Sequence, residues 1–86
     1  MIKVQTESGF ECKINDDVLD DAEILDVFIE LDEGNPIHIT KAAKKLLRDD
    51  YKRLYDHIRT EDDRVPLTAL AAEIADIISK ASEIKK

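Results

Sequence analysis

A chain of 86 residues, 43% hydrophobic and 38% charged, fits one folded domain better than a disordered tail, and it leaves little material for a deep enzymatic cleft. Thirteen Lys and Arg against twenty Asp and Glu give a formal charge of -7, which opposes a phosphate backbone at long range and disfavours nucleic acid as a partner. No apolar run approaches the roughly 18 residues of a membrane span, Met1 to Gln5 have no signal-peptide core, and the single Cys12 has neither a disulfide nor a metal-ligand companion, so a cytoplasmic protein is expected.

At the N-terminus, Ile2, Val4 and Thr6 alternate with Lys3 and Gln5, and Phe10, Cys12 and Ile14 alternate with Glu11 and Lys13. That period of two predicts a β-hairpin over residues 1–14, with Gly9 supplying the positive φ of a short connection. Capping candidates Asn15, Asp16, Asp17 and Asp20 then open an acidic helical segment spanning 16–34, with the helix proper from about Asp20 to Asp32; Gly34, Asn35 and Pro36 end it. Ala22, Ile24, Leu25, Val27, Phe28, Ile29 and Leu31 cover more than half of its circumference, too wide an arc for one contact. Either the helix is sandwiched within the core, the simpler account, or part of the arc is an interface.

Two helices are expected over 37–59. The first buries Ala42, Ala43, Leu46 and Leu47 and presents Lys41, Lys44, Lys45 and Arg48 on its back; the second, capped by Asp49 or Asp50, carries the stripe Tyr51, Leu54, Tyr55 and Ile58. Thr60 to Arg64 read as a turn. Pro66 then suits the first turn of a C-terminal amphipathic helix over 65–84, whose apolar positions run from Leu67 through Ile74 to Ile84, with fraying expected over Glu83 to Lys86. The class that results is α+β, mostly helical, a single domain over 1–86 in which an N-terminal hairpin packs on about four α-helices.

Charge is segregated along this order. Residues 14–40 hold nine acids and no Lys or Arg, whereas Lys41 to Arg53 hold six bases against Asp49 and Asp50. Such complementary patches could pair within one molecule or between copies, giving salt-sensitive homo-oligomers. Catalytic and ligand motifs are missing: there is no Gly-rich phosphate loop, no His-x-x-x-His pair and no alternating calcium loop among the acids, so no catalytic, cofactor-binding or metal residues are assigned. His57 reads as a surface residue of the polar helix face, and His38 as a packing or capping residue.

The block Leu46-Leu47, then Tyr55-Asp56-His57-Ile58-Arg59-Thr60-Glu61-Asp62-Asp63-Arg64-Val65-Pro66 and an Ala- and Ile-rich helix, together with Thr6-Glu7-Ser8-Gly9-Phe10 and an acidic helix, resembles the tail assembly chaperones of long-tailed phages and prophages of Gram-positive bacteria. The resemblance covers nearly the whole chain as short blocks and carries no catalytic signature. Where such sequences often have glycine, this one has Arg48 and Asp63. The resemblance implies a non-catalytic protein of the bacterial host cytoplasm that binds the long, helical tape measure protein before the tail tube polymerises, and that recruits tail tube subunits, the major tail protein. It also implies a longer form made by ribosomal frameshifting, with which Lys85-Lys86 is compatible. Leu25, Phe28, Ile29 and Leu31 are the expected hydrophobic contacts and Lys41, Lys44, Lys45 and Arg48 the expected electrostatic patch. The alternative is a small acidic decoy whose carboxylates imitate nucleic-acid phosphates in a host enzyme's basic groove.

Overall fold

A computed structural model describes residues 1–85; Lys86, and with it the end of the Lys85-Lys86 pair, lies outside the described residues. Strands β1 (Ile2–Gln5) and β2 (Glu11–Ile14) form an antiparallel hairpin in the register Ile2 to Ile14, Lys3 to Lys13, Val4 to Cys12 and Gln5 to Glu11. Every second side chain is buried, as the sequence period requires, so Ile2, Val4, Cys12 and Ile14 share the inner face. The connection closes through Thr6 N–H to Phe10 O and Gly9 N–H to Thr6 O, both 2.9 Å, with Gly9 at φ +93° where a side chain would be strained. Side chains of the helices also occupy the hairpin's outward backbone groups. The Arg53 guanidinium donates to Glu11 O at 2.9 Å, and Glu7 N–H donates to Asp76 Oδ2 at 2.8 Å.

The acidic segment expected as one helical stretch over 16–34 divides at Asp21. Residues Asp16–Asp20 form a 3-10 turn capped by Asn15, whose Oδ1 accepts Asp17 N–H at 3.0 Å; helix α1 begins at Ala22 and runs to Asp32. Asp21 between them is extended (φ -104°, ψ 116°) and caps α1 through Glu23 N–H, 2.9 Å from its Oδ1. That extended backbone is what a side-chain N-cap requires, and it is incompatible with an uninterrupted helix. At the other end Gly34, at φ +84°, donates to Leu31 O, and Asn35 donates to Glu30 O, the paired bonds of a Schellman stop.

Helix α2 (Ile39–Leu47) turns Ile39, Ala42, Ala43, Leu46 and Leu47 inward and its lysines outward. Arg48 then adopts φ +54°, ψ -125°, followed by a 3-10 turn to Asp50 and helix α3 (Tyr51–Ile58). Neither Asp49 nor Asp50 was needed as the expected cap: Asp50 occupies that position with helical backbone and makes no side-chain capping bond, because the preceding 3-10 turn leads directly into the helix. After a turn in which Asp63 sits at φ +65° and Thr60 N–H bonds Arg64 O, helix α4 runs from Leu67 to Lys85, through most of the stretch expected to fray.

The class is α+β, a two-stranded N-terminal hairpin in a mostly helical chain. Val4, Ile14, Ile39, Leu54, Leu70, Ile74 and Ile77 are the innermost side chains, one or more from nearly every element. Helix α2 touches α1, α3, α4 and β2, and α4 lies across β1, so the beginning and end of the chain are packed together. No helix among the described residues is long and apolar enough to cross a membrane.

Candidate interaction surface

The wide apolar arc of α1 is resolved by its neighbours into an inner and an outer part. Ile24 and Val27 are buried, and Phe28 and Leu31 are partly buried against the core, whereas Leu25 and Ile29 remain 57% and 49% exposed. The four expected contact residues therefore separate: Phe28 and Leu31 are chiefly packing, and Leu25 and Ile29 form an outward pair one turn apart. Periodicity alone placed all four on one arc; the position of α4 beside Phe28 decides which half is covered.

Leu25 and Phe28 form one wall and the floor of a cleft of about 410 Å³ between α1 and α4, with Leu19 at one end and Ile78, Ser79 and Ser82 opposite. A more open depression shares Phe28 and Ser79 with it and continues along Ala72 and Ala75 to Ser8 at the hairpin tip, where Glu7, Glu73 and Asp76 also line it. Together they make one open groove along the outer side of both helices.

The expected electrostatic patch is partly spent within the molecule. Lys45 Nζ lies 2.9 Å from Asp21 and 2.6 Å from Glu23, and Lys41 lies 3.7 Å from Glu23. The bond from Lys45 holds the Asp21 and Glu23 carboxyls below their ordinary values, and Asp21, then Glu23, raises Lys45 in return. Lys44 stands over the Tyr51 ring at 5.5 Å. Arg48 contributes chiefly a backbone break. Acidic and basic patches thus meet in one copy where α2 lies along the start of α1. His38, expected to pack or cap, caps nothing through its side chain; its Nδ1 lies 2.8 Å from Glu30 Oε2 on α1.

A second constellation was not foreseen. Glu73 on α4 is only 7% exposed, and its Oε1 accepts the hydroxyls of Thr6 at 3.1 Å and Ser8 at 2.5 Å. His57 Nε2 lies 3.0 Å from Ser8 Oγ while its ring packs on Phe10, centroids 5.5 Å apart. With Ser8 Oγ donating to Glu73, its lone pairs remain to accept from a His57 Nε2–H. In an acid-His-Ser triad the imidazole stands between acid and nucleophile; here serine stands between the acid and the imidazole. The cluster fastens the hairpin tip to α4. Beside it Asp76 accepts Glu7 N–H and Lys80 at 2.9 Å, and Lys80 also reaches Glu7 at 3.1 Å. Burial raises the Asp76 carboxyl, but the Glu7 amide and Lys80 outweigh it, and the group lies below its ordinary value. One signal of this cluster was readable: Glu73 falls at helical spacing between Leu70 and Ile77, a charge on the buried face that must find partners.

Among the described residues no group of three or more His, Cys, Asp or Glu side chains is placed to hold a metal ion. Cys12 is buried on the inner face of the hairpin, and burial, only partly offset by Arg53, pushes its thiol up to about 11. No protein-family model, no curated protein and no solved structure matches the chain.

Proposed function

We propose that the protein is a non-catalytic tail assembly chaperone that acts in the bacterial host cytoplasm, binding and masking the tape measure protein before the tail tube polymerises and bringing the major tail protein to it. The observation that carries the reading is the outward pair Leu25 and Ile29 beside an open groove, apolar surface that the fold leaves uncovered on an otherwise strongly charged molecule. The resemblance gains support from the backbone. Arg48 and Asp63, the two positions where similar sequences often have glycine, are the non-glycine residues with positive φ among the described residues. The decoy reading draws less support, since Lys41 and Lys45 engage two of the acids on which it would rely.

Co-expression of the chain with the tape measure protein encoded in its own gene neighbourhood tests the proposal. The expected result is a soluble complex that survives affinity purification and is lost in the double variant Leu25→Asp, Ile29→Asp, whose circular dichroism stays unchanged. A tape measure protein equally soluble with and without the chain, or a complex indifferent to the double variant, would refute it.

A further inference from the structure

The groove between α1 and α4 has two unlike walls. On α4, Ala72, Ala75, Ser79 and Ser82 follow each other at intervals of three, four and three residues on the outer side, none of them fully buried. Small side chains at that spacing over about three turns let the axis of another helix come close. On α1, Leu25 lines the groove beside the partly buried Phe28, and Ile29, exposed one turn beyond Leu25, continues the apolar surface outside it. Such a trough suits a helix lying along it.

The rim specifies the helix further. Asp32 and Glu33 lie one turn beyond Ile29, Glu83 follows Ser82, and no Lys or Arg occurs anywhere in residues 14–40. Asp26, Asp32 and Glu33 make no salt bridge among the described residues, unlike Asp21 and Glu23, which Lys45 occupies. On α4, Lys80 is held by Asp76 and Glu7. The groove is thus apolar along Leu19, Leu25 and Phe28 and anionic at its edge and towards the hairpin tip, where Glu7 and Asp76 line it.

A second copy is a poor occupant. Its basic helix, α2, has all of its large apolar side chains turned into its own core, and two copies joined groove to groove would bring their acidic rims together. We infer that the α1–α4 groove takes an amphipathic helix of a partner protein whose apolar stripe is flanked by Lys and Arg. The inference rests on the chaperone reading and names the kind of client segment that is masked.

The test uses the full chain and two synthetic helical peptides with the same Leu and Ala stripe, one flanked by Lys and the other by Glu, followed by fluorescence anisotropy at low and moderate salt. The Lys-flanked peptide should bind about tenfold tighter or better, a preference that shrinks as salt rises. The double variant Asp32→Asn, Glu33→Gln should reduce that preference, and Leu25→Ser should weaken both peptides; Asp49→Ala, at the junction of α2 and α3, should change neither. Equal affinities, a preference for the Glu-flanked peptide, no binding, or binding indifferent to Leu25→Ser would overturn the assignment. A tape measure protein that co-purifies while the Lys-flanked peptide fails to bind overturns this inference and leaves the chaperone reading standing. A peptide that binds as expected without any tape measure complex does the reverse.

Discussion

Replacing Glu73 by alanine removes the acceptor that two hairpin-tip hydroxyls share. Each hydrogen bond from a hydroxyl to a carboxylate contributes about 1.5–3 kcal/mol net, so the pair sets an upper bound of roughly 3–6 kcal/mol. Two effects reduce it. The carboxylate is 7% exposed, and its removal returns the cost of keeping a charge out of water. Thr6 Oγ1 also keeps the Phe10 N–H at 3.2 Å and stays within 3.1 Å of Ser8 Oγ, so neither hydroxyl is left without a partner. The expected loss is about 2 kcal/mol, which for a chain of this size lowers Tm by roughly 8–16 °C. Urea unfolding followed by circular dichroism measures it, and a double-mutant cycle with Ser8→Ala isolates the contact: the coupling should be about 1 kcal/mol. Glu73→Gln, which keeps an acceptor oxygen in place, should recover much of the loss. Wild-type stability in Glu73→Ala, or additivity with Ser8→Ala, would show that the polar cluster does not hold the hairpin to α4.

Arg48→Gly relieves a non-glycine residue at φ +54° and should stabilise the protein by about 1 kcal/mol after the greater freedom of glycine in the unfolded chain is counted; a lower urea midpoint would contradict the strained geometry. The Asp76 carboxyl is lower in the folded protein than in the unfolded chain, so its contribution is fully present above the ordinary carboxylate range and is lost as pH falls through its folded value. Urea midpoints between neutral and strongly acidic pH should therefore fall less steeply on the acid side in Asp76→Asn than in the wild type, and parallel curves would count against it. Cys12, with its thiol at about 11, should resist a disulfide reagent at mildly alkaline pH until denaturant is added; prompt labelling of the native protein would mean that the inner face of the hairpin opens readily.

The hairpin was legible because its pattern has only one reading: a period of two around Gly9 fixes both the pairing and the buried face. The acidic segment was less so, since Asn15, Asp16, Asp17, Asp20 and Asp21 are all competent caps, and the choice of two of them depends on Val18 and Leu19 packing against the core, which no local rule contains. The width of the apolar arc on α1 was visible in the sequence, but which side is covered is set by where α2 and α4 lie. For the same reason the groove could not be located in advance, although two of its residues, Leu25 and Phe28, were already singled out. Lys45 illustrates an open choice: its charge reads either as a patch for a partner or as half of a pair within the molecule, and only the side-by-side packing of α1 and α2, which brings Asp21 and Glu23 within reach, decides for the second. The hairpin-tip cluster joins positions 65 residues apart, a separation across which charge and periodicity carry no information beyond the misplaced acid at Glu73.

The packing of β1 against α4 has a consequence for how the protein is made. Ribosomes deliver the strand before the helix, at about 5–20 residues per second, so for several seconds Ile2 and Val4 lack the cover of α4, and Thr6 and Ser8 lack the Glu73 carboxylate. Helices α1 to α3 emerge in that interval without the Ile74 and Ile77 side chains that complete the core. A transcript cut short before Leu67 therefore yields a product in which the hairpin can meet α2 through β2 but lacks the α4 surface on which β1 packs.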